Sequence, residues 1–128
     1  MLGTRTKSPT KAILAILSCA CAAALFPGLA SAAPKTKFWN ITGDTVVKFE
    51  LAPAGTTNWG PDQCKNDKDD SVDDDERLTL KDVASGTYDA RLTYKDGGVC
   101  LAKSVKVVEG KIFSIEKKEL TDCTKPRE

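Results

Sequence analysis

Alternating hydrophobic and polar residues dominate the second half of the chain. Over Gly86–Tyr94 the apolar or aromatic residues fall on every second position and polar residues fill the positions between them, which is the period of a half-buried β-strand. The Gly97-Gly98 pair suits a hairpin turn, because glycine tolerates positive φ. A β-branched run follows over Val99–Val108, and after a turn a short apolar run covers Ile112–Ile115. The pattern predicts three successive antiparallel strands in this region.

Shorter strand patterns lie earlier in the chain. Two of them, Lys37–Thr42 and Thr45–Leu51, are expected to form a hairpin through Gly43-Asp44. The alternation in the second strand predicts three inward-facing residues, Val47, Phe49 and Leu51. A further short strand is expected over Arg77–Leu80, and the polar tail Thr124–Glu128 is expected to fray.

Six or seven short strands separated by Gly, Pro and Asp turns are typical of an all-β protein. We predict a small antiparallel β-sandwich, of the immunoglobulin-like or transthyretin-like kind, with a small barrel as the alternative. A single domain over residues 33–128 is expected, because a chain of 128 residues supports only one small core.

The segment 1–32 has the pattern of a signal peptide. A positively charged n-region precedes an apolar stretch over Ala12–Leu25, and Ala30-Ser31-Ala32 supplies the small residues of a cleavage site. Removal of this N-terminal signal helix after Ala32 implies a periplasmic or secreted protein. The alternatives are an uncleaved membrane anchor and a lipid-modified form that begins at Cys19.

Charge and composition exclude several function classes. Three of the 19 basic residues lie in the n-region, whereas all 18 acidic residues follow it, so the mature chain has a net charge of −2. This charge is too small to attract nucleic acid or an anionic membrane, and neither is expected as a partner. The chain has no histidine, which excludes His-based triads, Cys-His dyads and the usual histidine ligands of zinc. We therefore expect a non-enzymatic protein without a cofactor.

An acidic, almost wholly polar segment over residues 65–76 is expected to form a mobile loop. Four alternating aspartates in it offer oxygen ligands for a weakly bound Ca²⁺: Asp67, Asp69, Asp73 and Asp75. The spacing departs from an EF-hand, because Val72 stands at the position of the loop glycine and Leu78 at that of the bidentate glutamate. The other interpretation is a solvated loop that binds no metal.

Three cysteines remain after the predicted cleavage, which in an oxidising compartment allows one disulfide and one spare thiol. We favour a bond between Cys100 and Cys123, because it would tie the C-terminal segment to the central hairpin. Cys64 would then be a free thiol beside the acidic loop, or a link to a partner. Neighbouring carboxylates would keep such a thiol protonated and unreactive.

Aromatic residues are the candidates for ligand recognition. Four of them could form a stacking platform on a β-sandwich: Trp39, Trp59, Tyr88 and Tyr94. The alternative is that they anchor the core or the turns of a small domain. Asp89 and Arg91 lie two positions apart on one strand face, which predicts a surface ion pair between them.

Several short motifs resemble those of a group of small exported bacterial proteins of unknown function, with the patterns APAGT-x-x-WG and G-x-YD-x-RL. The motifs are Asn40-Ile41-Thr42, Leu51–Thr56 with Trp59-Gly60, Asp75–Leu78, Gly86–Leu92 and Gly98–Cys100. The resemblance spans nearly the whole mature chain and implies a Gram-negative periplasmic location, but it brings no catalytic residue. In that group the cysteines corresponding to Cys100 and Cys123 recur, whereas Cys64 is a departure.

Two hypotheses for the function follow. The first is an exported protein that binds an envelope protein or a small ligand through a sheet face or through the loop Ala52–Cys64. The second is weak calcium binding by the aspartates of residues 67–76.

Overall fold

Residues 33–128 are built mainly from β-strands. The computed structural model describes residues 33–128, and the signal peptide expected over residues 1–32 lies outside the described residues. Two short 3-10 helices, Gln63–Asn66 and Lys117–Glu119, accompany the strands. The strands of residues 33–128 are β1 (Lys37–Ile41), β2 (Val46–Pro53), β3 (Glu76–Thr79), β4 (Gly86–Tyr94), β5 (Val99–Val107), β6 (Ile112–Glu116) and β7 (Leu120–Thr121).

The strands form two sheets, which confirms the predicted all-β, sandwich-like class. One sheet has three strands in the order β3-β1-β6, and the other has four in the order β2-β4-β5-β7. All neighbours in the four-stranded sheet are antiparallel. In the three-stranded sheet β1 pairs antiparallel with β3 and parallel with β6. The three-stranded sheet is therefore mixed, and not purely antiparallel as predicted.

Two predicted strand pairings are wrong. β1 and β2 do not form a hairpin, because the chain crosses from one sheet to the other between them. β6 likewise leaves the sheet of β4 and β5 to lie beside β1. Asn40 supports the first crossing from a fully buried position. Its amide donates to the backbone carbonyls of Asp44 at 2.8 Å and Val72 at 3.1 Å, and its oxygen accepts from the Thr42 hydroxyl at 2.8 Å. These bonds satisfy a polar group that would be costly to bury alone.

The core lies between the two sheets. Phe38 of β1 and Phe49 of β2 are fully buried, and their rings stack with centroids 4.1 Å apart and planes within 6°. Phe113 of β6 lies against both rings, at 5.8 and 6.5 Å. Buried aliphatic residues from both sheets surround this stack, including Leu51, Leu78, Ala90, Leu92 and Ile115.

The inward face of β2 differs from the prediction at its start. Phe49 and Leu51 are buried as expected, but Val46 is fully buried and Val47 is only half-buried. The pairing of β2 with β4 shifts between Val46 and Lys48, which is a β-bulge. Because one extra residue in a strand reverses the alternation locally, Val46 takes the inward position predicted for Val47.

The acidic segment 65–76 is folded, which corrects the expectation of a mobile loop. Val72 is buried, and its backbone makes two hydrogen bonds of 2.9 Å with the backbone of Val46. Two aspartates also bind the β1–β2 connection. Asp74 accepts from the backbone N–H of Gly43 at 2.8 Å, and Asp73 accepts from the Thr45 hydroxyl at 2.9 Å. The charged side chains of the segment face outward, whereas the buried Val72 side chain and the backbone hydrogen bonds to Val46 hold the segment in place.

The C-terminal tail is also held, although it was expected to fray. Cys100 of β5 and Cys123 form a disulfide, the pair favoured from the sequence. The next residue, Thr124, donates its N–H to the carbonyl of Val99 at 2.8 Å and accepts from the Val99 N–H at 2.9 Å. Beyond it, the Arg127 side chain is 6% exposed. The buried side chain of Arg127 therefore anchors a polar tail that was expected to be free in solvent.

The phenylalanine stack gives a stability prediction. Replacing Phe49 with Ala removes a fully buried ring and leaves a cavity between the sheets, so the free energy of unfolding should fall by about 3–5 kcal/mol. Urea denaturation of the mature chain measures this. Phe113→Ala is the matched control, because the same ring is removed from a half-buried position. The free energy of unfolding should fall less for Phe113→Ala than for Phe49→Ala. An equal fall in the two variants would contradict the central role of the stack.

Candidate recognition surface

The outer face of the four-stranded sheet brings together an aromatic ring, a cation and apolar side chains. Glu50 lies opposite Arg91, which in turn lies opposite Leu101 on the next strand. In the neighbouring row Thr93 lies opposite Val99. These residues alternate with the core residues of the same strands, so they face away from the core. We call the surface formed by Trp59, Glu50, Arg91, Thr93, Val99 and Leu101 the Trp59 face.

The loop after β2 places Trp59 over this face. Pro53 ends the strand, and the chain turns back along the free edge of β2, where the Gly60 N–H donates to the Leu51 carbonyl at 2.8 Å. A Cβ at Gly60 would lie 3.3 Å from that carbonyl oxygen, so glycine suits the close approach. Asp62 then accepts from the Phe49 N–H at 3.0 Å. The loop thus covers an edge strand and fixes the position of the indole.

Arg91 joins Trp59 to the sheet. Its guanidinium carbon lies 4.4 Å from the centroid of the Trp59 ring. Nε and Nη2 donate to the two carboxylate oxygens of Glu50 at 2.9 and 3.0 Å. The Glu50 side chain is 9% exposed and that of Arg91 32%, so this bidentate pair is partly shielded from water. A bidentate ion pair and a cation–π contact together hold all three side chains in one arrangement.

The predicted ion pair between Asp89 and Arg91 is not formed. Arg91 uses Glu50, and Asp89 is a buried carboxylate that accepts backbone N–H groups of Gly55 at 2.9 Å and Ser104 at 3.0 Å. The pairing of β4 with β5 shifts between Tyr88 and Ala90 because β5 carries an extra residue there, and this bulge brings the N–H of Ser104, whose φ is +56°, to the Asp89 carboxylate. The hydrogen bonds from Ser104 and Gly55 lower the pKa of Asp89 and outweigh the effect of burial. Asp89 therefore fastens the Trp59 loop to the sheet.

Trp39 lies on the other sheet. Its neighbours on β1, Phe38 and Asn40, are fully buried, so Trp39 faces outward from the three-stranded sheet. The indole N–H donates to Asp75 at 2.9 Å, and the Arg77 guanidinium lies 4.3 Å from the ring centroid. Trp39 and Trp59 therefore occupy opposite outer faces of the sandwich and do not form one platform.

Tyr94 is not a surface residue, which corrects its assignment to the recognition surface. It is 1% exposed, and burial raises its pKa. Tyr88 is half-buried against the core, and its hydroxyl donates to the Ala84 carbonyl at 2.7 Å. The alternative interpretation, in which aromatic residues anchor the core and turns, holds for these two tyrosines.

Three of the four aspartates considered for calcium have carboxylates bonded to separate partners. Asp75 accepts from Trp39, Asp73 from Thr45, and Asp67 from the backbone N–H of Asp69 at 2.9 Å. No three acidic or cysteine side chains of residues 33–128 are placed to hold one metal ion. The alternation along the sequence does not become a shared cage, because the segment folds through turns and a backbone bridge at Val72. The geometry of these residues gives no support to the calcium hypothesis.

Cys64 is unpaired among the cysteines of residues 33–128 and is buried. Its sulfur lies 3.7 Å from the Val46 carbonyl oxygen, inside the core. Burial, followed by the negative charges of Asp62 and Asp67, raises the pKa of the thiol to about 12. The thiol is thus protonated and packed, a position that does not suit a disulfide link to a partner.

A groove of about 900 Å³ lies away from both tryptophans. Three segments line it: residues 33–36, 79–84 and 109–111. Its acidic side chains, Asp82 and Glu109, are exposed. The groove therefore brings no buried carboxylate pair together.

Comparison with known proteins leaves the function to be argued from the chain itself. No protein-family model, curated protein or solved structure matches this sequence. Over residues 33–128 no helix is long and apolar enough to cross a membrane. The resemblance to small exported proteins stays a prediction, and the side-chain geometry carries the proposal below.

Asp89 makes stability depend on pH. Its folded-state pKa is lowered, so the ionised carboxylate stabilises the fold above the unfolded pKa of about 3.9, and this contribution is lost as the pH falls through the folded-state pKa. Asp89→Asn should lower the free energy of unfolding by about 1–3 kcal/mol at pH 7, with a smaller difference at pH 3. Denaturant titrations at both pH values measure it. Glu109→Gln, an exposed site, is the control, and a difference for Asp89→Asn that does not shrink at low pH would refute the role.

The buried thiol gives a chemical prediction. Iodoacetamide at pH 8 should leave the native mature chain unmodified over an hour, because Cys64 is both buried and protonated. In urea without reductant the chain should take up one label, at Cys64, since the other two cysteines are bonded. Intact mass and peptide mapping distinguish the cases. Rapid labelling of the native chain would place Cys64 at the surface.

Proposed function

We propose that this chain is an exported, non-enzymatic binding domain that recognises a protein of the cell envelope through the Trp59 face. The single observation that carries the proposal is the fixed position of Arg91 between the Trp59 ring at 4.4 Å and the Glu50 carboxylate at 2.9 Å. Export rests on the signal-peptide pattern of residues 1–32.

The composition of the Trp59 face supports recognition of a protein. Tryptophan and arginine are the residues most often responsible for binding energy at protein interfaces. Here they stand beside half-buried Val99 and Leu101, whose apolar side chains could be covered by a partner. The side chains are held before any partner arrives, and this reduces the entropy lost on binding.

The face around Trp39 is a weaker candidate. Across the three-stranded sheet Trp39 lies opposite Arg77 on one side and Ser114 on the other, and the next row contains Lys37, Thr79 and the exposed Ile112. Both faces therefore carry aliphatic residues, and what distinguishes the Trp59 face is the bidentate ion pair with Glu50 that fixes its arginine. The difference makes Trp39 a suitable control site.

The proposal predicts that Trp59→Ala abolishes capture of the partner. The mature chain would carry an affinity tag and be crosslinked in periplasmic extract, and captured proteins would be quantified by mass spectrometry. A partner recovered with the wild-type chain should fall at least about tenfold with Trp59→Ala, since hot-spot truncations cost about 2 kcal/mol or more.

Trp39→Ala is the matched control, because it removes the same side chain from the opposite face. The amount of partner recovered with Trp39→Ala should equal that recovered with the wild-type chain. Equal recovery with Trp59→Ala and wild type, in a variant shown to be folded by circular dichroism, would refute recognition through the Trp59 face.

A further inference from the structure

The C-terminal segment fills a pocket at the end of the β4–β5 hairpin. Arg127 donates from Nη2 to both carboxylate oxygens of Asp96, at 2.7 and 3.0 Å, and from Nη1 to Asp44 at 3.2 Å. Its guanidinium carbon lies 4.0 Å from the centroid of the Tyr94 ring. Two carboxylates and an aromatic ring are the groups that recognise a guanidinium. None of these residues belongs to the Trp59 face.

Gly98 leaves the space that the guanidinium occupies. A Cβ at this position would collide with Nη2 of Arg127. Gly97 has a φ of +88° and serves the turn, whereas Gly98 is not among the glycines with positive φ. A side chain at position 98 would therefore displace the guanidinium from its present place, whereas the backbone conformation of Gly98 does not itself demand glycine. Its N–H donates to Asp96 at 2.8 Å, which orients the carboxylate.

Arg127 does not use the whole pocket. The Tyr94 hydroxyl and Nε of Arg127 are both buried, and neither has a partner within hydrogen-bond distance in the described part of the chain, although Thr42 lies close enough to the hydroxyl to oppose the rise that burial causes in the pKa of Tyr94. The surrounding cavity has a volume of about 330 Å³ and is also lined by Thr45 and Lys95. Buried polar groups are normally hydrogen-bonded. A guanidinium that entered from another direction could donate to the Tyr94 hydroxyl as well as to the carboxylates.

The electrostatics favour a cation in this pocket. The hydrogen bond from Arg127, followed by that from the Gly98 N–H, lowers the pKa of Asp96. Burial opposes the charge of Arg127, but the hydrogen bonds to Asp96 and Asp44 outweigh it and raise the pKa of the guanidinium. The pocket thus keeps its negative charge at neutral pH.

A short tether holds Arg127 near the pocket. The backbone of Thr124 is bonded to Val99, and Cys123 is bonded to Cys100, so only Lys125 and Pro126 separate Arg127 from a fixed residue. A group on such a tether has an effective concentration of about millimolar order. An external ligand must therefore compete with the chain's own arginine.

We propose that this pocket is a binding site for an arginine side chain of a partner protein, and that Arg127 is an intramolecular occupant that the partner's arginine displaces. The site is built from Asp44, Asp96, Tyr94 and Gly98. It is distinct from the Trp59 face and would stand if that face bound nothing.

The test removes the Arg127 side chain from the pocket in the mature chain and measures how tightly an added arginine analogue then binds. N-acetyl-L-arginine amide would be titrated into wild type, Arg127→Ala and Arg127→Lys, with binding followed by calorimetry and by the NMR signals of Tyr94. Arg127→Ala should bind the probe at least about tenfold more tightly than wild type, because the tethered competitor is gone. The lysine variant should fall between them, since an ammonium lacks the planar fork.

Three controls make the outcome decisive. Asp96→Asn added to Arg127→Ala should abolish binding, whereas Lys125→Ala, which removes a tail side chain bonded to the Asp96 carbonyl, should bind like wild type. N-acetyl-L-lysine amide should bind more weakly than the arginine probe. Equal probe affinity in Arg127→Ala and wild type, or binding that survives Asp96→Asn, would overturn the proposal. Tighter binding of free L-arginine than of the capped probe would overturn the assignment to a protein segment. If Arg127→Ala does not fold, the comparison of Arg127→Lys with wild type decides.

Discussion

The stack of Phe38 on Phe49 is the contact on which the two-sheet structure depends. Each sheet has one apolar face that must be removed from water, and the two sheets achieve this by packing against each other. The two rings, 4.1 Å apart, close the gap between the sheets at its centre. Because the core holds β2 in place from within, the outer side of the same strand can present Glu50 at a fixed position.

The strands could be predicted from the sequence because their period is local. The alternation over Gly86–Tyr94 correctly placed Ala90 and Leu92 inside, and the Gly97-Gly98 pair marked the β4–β5 hairpin. The favoured disulfide between Cys100 and Cys123 is also formed. Strand pairing was less predictable, because a short turn such as Gly43-Asp44 is compatible both with a hairpin and with a crossing between sheets.

Trp59 could be named as a candidate from the sequence, but the side chains around it and the Arg127 pocket could not be predicted, because both sites join residues that are distant in the sequence. Glu50 meets Arg91 only through the register of β2 and β4, so the nearer Asp89 was the natural choice from the sequence. The bulge in β5 that brings the Ser104 N–H to Asp89 leaves no clear signal in the composition. Arg127 lies in a polar tail that looks unstructured, and only the position of Asp44 and Asp96 shows why it is buried. In each case a residue that the fold brings into contact, and not a local sequence motif, determines the role of the side chain.

The parallel pairing of β1 with β6 constrains how the domain can be assembled. These strands lie at opposite ends of the folded sequence, yet each residue of β1 from Lys37 to Ile41 has a partner in β6. A polypeptide delivered in order from its N-terminus must hold β1 without this partner until residue 116 is available. Contacts of such long sequence separation slow folding. The domain therefore completes its smaller sheet only after residue 116 has been delivered, and until then the edge of β1 is open to pairing with other chains.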